Sequence, residues 1–129
     1  MVVDTSAVVA ILFDEPEAPT FRDLLLVSAA RMSMVSVAET AIVALGRGRP
    51  GRDRALALID QLGIEQVPLS AVQTRLAIEA YGSWGWRHHR ANLNFGDCFS
   101  YALAKSLNEP LLFKGEDFSR TDITPALPP

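Results

Sequence analysis

A chain of 129 residues is about one domain's worth, long enough to bury roughly two-thirds of its unfolded surface without covalent staples. Twelve Lys and Arg against fifteen Asp and Glu give a net charge of -3, which argues against a histone-like basic binder. At 49% apolar and 21% charged, the composition is that of an ordinary globular protein, and a local basic patch inside the acidic total still leaves room for nucleic acid. The single cysteine, Cys98, excludes an internal disulfide and a Cys-rich zinc site, and it fits a reducing compartment. The longest apolar run, Ala7 to Phe13, falls well short of the ~20 residues a membrane helix needs. With no basic stretch before it and Asp4 interrupting the apolar start, a signal peptide is not expected, and the expected location is the cytoplasm.

The chain alternates short apolar runs with longer helical ones. Val2-Val3 is a buried-strand candidate, followed by a helix over Ser6 to Phe13 that Asp14-Glu15-Pro16 breaks. Pro16, suited to a first helical position, opens a second helix to Ala30. Met32 to Val35 reads as a second strand. Ser36 to Leu45 follows as a helix, with Ala38, Ala41, Ile42 and Leu45 on one face. Gly46 to Gly51 reads as a loop. Ala55, Leu58, Ile59 and Leu62 mark a fourth helix closed by Gly63, and Ile64 to Leu69 a third strand. Ser70 with Gln73 predicts a capping box for a helix reaching about Tyr81. Gly82 to Leu93 looks irregular; Phe95, Phe99, Ala102, Leu103 and Leu107 mark the next helix. Pro110 to Phe113 is a strand, and Ile123 a candidate for one more. The segment from Thr124 to Pro129 reads as an unpacked Pro-rich tail. No internal repeat or linker interrupts the rest. Strands alternating with helices, without hairpin signals, predict an α/β fold with a parallel sheet.

In such a sheet, ligands sit beyond the carboxyl ends of the strands, where the next helices begin. Asp4 ends the first strand. Glu39 lies early in the helix after the second, Asp97 opens the helix after the irregular segment, and Asp117 follows the strand at Leu111 to Phe113. Each acid has a structural explanation as well. Asp4 would cap the helix near Ser6, and Glu39 stands at capping-box spacing from Ser36. Asp97 would oppose a helix dipole, and Asp117 would be a turn residue after Gly115. Gathered at one apolar-walled edge, however, several carboxylates repel one another unless a cation neutralises them. An all-oxygen set suits a hard ion, Mg²⁺ or Mn²⁺, and a pair of such ions can drive phosphodiester hydrolysis.

The blocks Val2-Val3-Asp4-Thr5-Ser6-Ala7, Ser36-Val37-Ala38-Glu39, Leu93-Asn94-Phe95-Gly96-Asp97-Cys98 with Tyr101-Ala102-Leu103-Ala104, and Pro110 to Phe118 with Thr121-Asp122-Ile123 resemble the PIN-domain ribonucleases. Within these, the likeness is to VapC-type toxins of bacterial toxin–antitoxin pairs. The resemblance implies a three-layer fold over residues 1–123, with a central, mostly parallel sheet flanked by helices. It implies a Mg²⁺- or Mn²⁺-dependent endoribonuclease in which Asp4, Glu39, Asp97 and Asp117 are catalytic and Asp4 and Asp97 ligate the ion. Glu116 and Asp122 are alternatives for the fourth acid. Ser6 matches a small polar residue that supports the cluster. The implied reaction is in-line attack of an activated water on an RNA phosphate, in tRNA or rRNA, leaving a 5′-phosphate and a 3′-hydroxyl. The implied partners are a VapB-type antitoxin and a second copy of the chain.

Two basic groups are candidates for substrate contact. Arg47, Arg49, Arg52 and Arg54 crowd one stretch and read better as surface charge or antitoxin contact. Trp86, Arg87 and Arg90, close in sequence to Asp97, are the expected substrate-binding group, because arginine pairs with phosphate and aromatic rings stack on unpaired bases. His88 and His89 are adjacent and make a poor zinc pair. A haloacid-dehalogenase-type phosphatase wants a second aspartate where Ser6 stands. A receiver domain wants a phosphorylatable aspartate near Val35-Ser36. The alternative to an enzyme is a PIN-like module that binds RNA or protein without cutting.

Overall fold

The computed structural model describes residues 1–128; Pro129, the last residue of the expected tail, lies outside the described residues. Four short parallel strands, β1 (Val2–Val3), β2 (Arg31–Ser33), β3 (Glu65–Val67) and β4 (Leu111–Leu112), form one sheet in the order β3-β2-β1-β4. Six helices surround it: α1 (Thr5–Leu12), α2 (Ala18–Val27), α3 (Met34–Ala44), α4 (Gly48–Gln61), α5 (Ala71–Trp84) and α6 (Phe95–Leu107).

Strand side chains alternate between faces, and the two cores follow from that alternation. Val2 pairs in register with Leu111, and Val3 with Leu112. Val2 and Leu111 point into a core with Ala77 and Ala80 of α5 and Cys98, Tyr101 and Leu103 of α6. Val3, Leu112 and Met32 face the opposite core, with Ala7, Ile11, Phe21, Leu25, Leu58 and Ile59 of α1, α2 and α4. The result is the expected helix–sheet–helix sandwich. Because β1 ends at Val3, the next residue emerges at the carboxyl edge of the sheet, where its N–H bonds the Leu112 carbonyl at 2.9 Å.

Several elements differ from the sequence reading. α2 is shorter than Pro16 to Ala30, and Pro19, not Pro16, occupies its first turn. β2 ends at Ser33, which caps α3 by accepting the Val35 N–H at 3.2 Å. Ser36 is therefore inside the helix and does not form the capping box predicted with Glu39. The expected loop at Gly46 to Gly51 is a 3-10 turn (Leu45–Arg47) leading straight into α4. Pro50 fits a first turn, where no N–H is needed, and Gly51 packs so closely on the Ala44 carbonyl that a Cβ would lie 2.6 Å from it. α5 begins at the expected Ser70, which caps the Gln73 N–H at 3.1 Å, but Gln73 Nε2 goes to the Pro68 carbonyl at 3.3 Å, so only half of the expected capping box forms, and the helix runs on to Trp84. Ile123 forms no strand. Instead Leu111 bonds both the Thr124 carbonyl and the Ala126 N–H, so the expected unpacked tail lies along β4, with Ala126 and Leu127 against the core.

Candidate active site

Asp4, the N-cap of α1, is 2% exposed, yet it carries a carboxylate. Burial of a charge is tolerated when hydrogen bonds satisfy it, and here both oxygens are occupied. Asp4 Oδ2 accepts the Ser6 N–H at 2.9 Å and the Ser6 hydroxyl at 2.6 Å; Oδ1 accepts the Ser100 hydroxyl at 2.6 Å. Ser6 in turn accepts the Lys114 N–H at 3.0 Å, which ties the segment after β4 to the start of α1.

Glu39 lies in the second turn of α3, too far along for the cap, which belongs to Ser33. Its carboxylate stands against α6 at Gly96, where a Cβ would come within 1.9 Å of Oε2. Burial raises its carboxyl above the ordinary value and the Asp4 charge adds to this, while the Thr5 hydroxyl works the other way. Asp97 is at once cap and cluster member. Its Oδ2 accepts the Asn94 N–H at 3.0 Å and its own N–H bonds Asn94 Oδ1 at 2.8 Å, a complete capping box. Burial, followed by the Asp4 charge, still pushes its carboxyl up to about 7; Glu39 and Asp117 add to this, and the Asn94 N–H opposes it.

Asp117 is exposed at the start of the 3-10 turn Phe118–Arg120 after β4. Of the alternatives to it, Glu116 pairs with Arg120 at 2.9 Å, and Asp122 with Lys105 at 2.8 Å and the Tyr101 hydroxyl at 2.7 Å. Both are thus occupied elsewhere. Four acids from four separate elements are electrostatically linked through Asp97, and among the described residues none of the four has a salt-bridge partner. Lys114, bound to Ser6 by its backbone, turns its ammonium to Glu15 and Glu17. Among the described residues no three His, Cys, Asp or Glu side chains stand together closely enough to hold a metal ion.

The chain matches the PIN domain family over residues 1–123. It is 48% identical to the ribonuclease VapC30 of Mycobacterium tuberculosis over 131 aligned positions, covering 99% of this chain and 100% of that one. The chain belongs to the PIN-domain family, in its VapC ribonuclease branch. The fold of this VapC-type PIN domain is shared with that of M. tuberculosis VapC20, described as a sarcin-ricin loop cleaving toxin, at a TM-score of 0.80 and 20% identity over 98% of both chains. It is shared also with VapBC2 of Rickettsia felis, solved bound to a DNA fragment from the promoter of the pair, at a TM-score of 0.74 and 15% identity over 96% and 94% of the two chains.

Beside the acids of this VapC-type domain, residues 85–94 form a compact loop closed by a bridge between Gly85 and Leu93. Trp86 is 51% exposed, and the Arg87 guanidinium lies over its ring at 4.2 Å. Arg87 has a left-handed φ of 68°, unusual for a non-glycine residue. The Arg90 carbonyl accepts from Arg120 at 3.1 Å, which ties this loop to the segment carrying Asp117. His88 and His89 pack edge-on against Tyr81 and Trp84 respectively. Cys98 is buried, and burial holds its thiol up at about 11, protonated and inert. Arg49, Arg52 and Arg54 lie on α4, and Arg47 covers the Phe13 ring at 3.9 Å.

The sequence reading named Asp4, Glu39, Asp97, Asp117 and Ser6, but gave no site role to Ser100 and Gly96, which stand against Asp4 and Glu39, or to Ser36, which bonds Ser100. A usable signal existed for Ser100. It stands three residues after Asp97, so a helix through both puts them on neighbouring faces.

Proposed function

We propose that this VapC-type chain hydrolyses RNA phosphodiester bonds as a toxin, with a divalent cation, Mg²⁺ or Mn²⁺, held by Asp4 and Asp97 and with Glu39 and Asp117 completing the site. The observation that carries the reading is the linked, unpaired acid set. Carboxylates that push up the Asp97 carboxyl, with no salt-bridge partner among the described residues, are relieved by a bound cation, and an all-oxygen donor set without sulfur or imidazole fits a hard ion. When bound, such an ion supplies Lewis acidity and charge neutralisation at the scissile phosphate.

The chain's own groups supply the rest. Ser6 and Ser100 hold the Asp4 carboxylate by both oxygens, which reduces the reorganisation needed on loading. Glu39, whose carboxyl burial holds above the ordinary value, takes the proton of the attacking water or orients that water. Asp117, exposed at the rim, would hold a second, weaker ion that accompanies the substrate phosphate. Trp86 offers a ring for an unpaired base, and Arg87 and Arg90 face the phosphates beside it. The products expected are a 5′-phosphate and a 3′-hydroxyl, with tRNA or rRNA as the substrate class.

As a member of a toxin–antitoxin pair, the chain is expected to act in the cytoplasm under the control of a VapB-type antitoxin; no described helix is long and apolar enough to cross a membrane. It is expected to self-associate. Ile78 and Phe95 leave an exposed apolar face around the groove between α5 and α6, of the kind a second copy would cover. The test is cleavage of a structured RNA with Mn²⁺ titrated in, run with Asp4→Asn alongside. Metal-dependent cutting by the wild type alone supports the reading. Metal-independent RNA binding without cutting by either protein assigns the chain to the non-cleaving binders instead.

A further inference from the structure

The Asp4 carboxylate is held by more than its own helix. Ser100 of α6 and Ser36 of α3 are both fully buried, their hydroxyls 3.0 Å apart. A hydroxyl has one hydrogen. That of Ser100 is committed to Asp4 Oδ1 at 2.6 Å, so Ser36 must be the donor to Ser100. The Ser36 carbonyl then accepts the Thr40 hydroxyl at 2.8 Å and the Thr5 hydroxyl at 3.2 Å. One line of hydroxyls thus joins the start of α1, which carries Asp4, to α3, which carries Glu39 three residues beyond Ser36. The same line crosses to α6, which carries Asp97 three residues before Ser100.

We infer that Ser100, backed by Ser36, is a positioning residue that fixes the rotation of the Asp4 carboxylate and so sets the affinity of the acid site for its divalent ion. The inference rests on Asp4 being a ligand, as proposed above. Packing alone does not account for the pair. Alanine forms helices better than serine and nearly fills the same space, and α6 uses alanine at the buried positions 102 and 104. A serine at 100 gains only through the acceptor in front of it. Groups that orient a metal ligand typically change metal affinity about 10–100-fold when removed.

The test is calorimetric titration of Mn²⁺ alone into the wild type, Asp4→Asn, Ser100→Ala, Ser36→Ala and the double serine variant, with melting in EDTA as the folding control. Ser100→Ala is expected to weaken Mn²⁺ binding at least about tenfold with a near-unchanged melting midpoint in EDTA. Ser36→Ala, acting only through Ser100, should lose a few-fold, and the double variant should be no worse than Ser100→Ala. If Ser100→Ala does not fold, Ser36→Ala carries the test. Wild-type affinity in the folded serine variants overturns the inference alone. Absence of Mn²⁺ binding by the wild type, or equal binding by Asp4→Asn, overturns the reading of the acid site and the inference with it.

Discussion

The Glu39 carboxylate occupies the space a side chain at position 96 would need: a Cβ on Gly96 would lie 1.9 Å from Glu39 Oε2 and 2.7 Å from Oε1. The absence of a Cβ, not backbone freedom, matters here: position 96 sits in the first turn of an ordinary helix, and a Cβ would push the end of the Glu39 side chain aside. Glycine lets α3 and α6 bring Glu39 and Asp97 to the same edge.

Gly96→Ala should therefore displace Glu39 and lower RNA cleavage by about 100-fold, the scale of an ångström-sized misplacement of a reacting group. Gly82→Ala is the control, because its Cβ would meet nothing within 4 Å inside α5. Alanine there should stabilise by about 0.5–1 kcal/mol and leave cleavage unchanged. Thermal melts and initial rates on both variants check the pair.

Asp97 predicts a pH dependence. Its carboxyl is held up near 7 in the folded protein, above the ordinary 3.8. The folded state therefore binds more protons than the unfolded state between these values, and its contribution is present below about 4 and lost as pH rises through about 7. Metal-free wild type should lose, over that window, at most a few kcal/mol that Asp97→Asn does not lose. Added Mn²⁺ should offset the loss at high pH, because ion and proton compete for the same site. Denaturant unfolding in EDTA at several pH values, with and without the substitution, measures this.

The fourth acid can be assigned by a contrast of neighbours. Asp117 adds to the charge felt by Asp97, whereas Glu116 is paired with Arg120. Asp117→Asn should slow cleavage roughly tenfold at low Mn²⁺ and recover in part at high Mn²⁺, as for a weak second ion. Glu116→Gln should leave the rate essentially unchanged. The reverse pattern would move the role to Glu116.

Trp86 and Arg87 should act on substrate binding and not on folding, since Trp86 is half exposed. Trp86→Ala should raise KM roughly tenfold, the scale of one lost base stack, with kcat little changed. Arg87→Ala should flatten the salt dependence of KM by about one phosphate contact. Unchanged KM in both would remove this loop from the RNA surface.

Much of this was legible in the sequence, and the residues show why. Asp4, Asp97 and Asp117 fall at junctions where a strand ends or a helix starts, and those junctions are marked by local signals such as Val2-Val3 and the Asn94 cap. Helix starts were less secure. Ser33 and Ser36 are both serines ahead of the same apolar face, and only the pairing of β2 with β3 through Ser33 and Val67 decides that Ser33 ends the strand and caps the helix. Gly48 and Pro50 look like punctuation, yet Pro50 is harmless in a first turn and Gly51 is needed against Ala44. The tail was misread because its hydrogen bonds go to Leu111, a long-range partner that local composition does not reveal. Gly96 gives no local signal at all, and Ser100 only its three-residue spacing from Asp97; their significance lies in Glu39 and Asp4, which the packing of α6 on α3 and β1 brings near.

The central claim is that the linked acids work as a metal-dependent ribonuclease site. The most direct measurement is the initial rate of RNA cleavage by purified protein as Mn²⁺ is titrated from EDTA upward, beside Asp97→Asn with its fold verified by circular dichroism. The account predicts a rate that rises and saturates with Mn²⁺ for the wild type and stays near background for Asp97→Asn. Cleavage in EDTA, or equal cleavage by the folded variant, would contradict it.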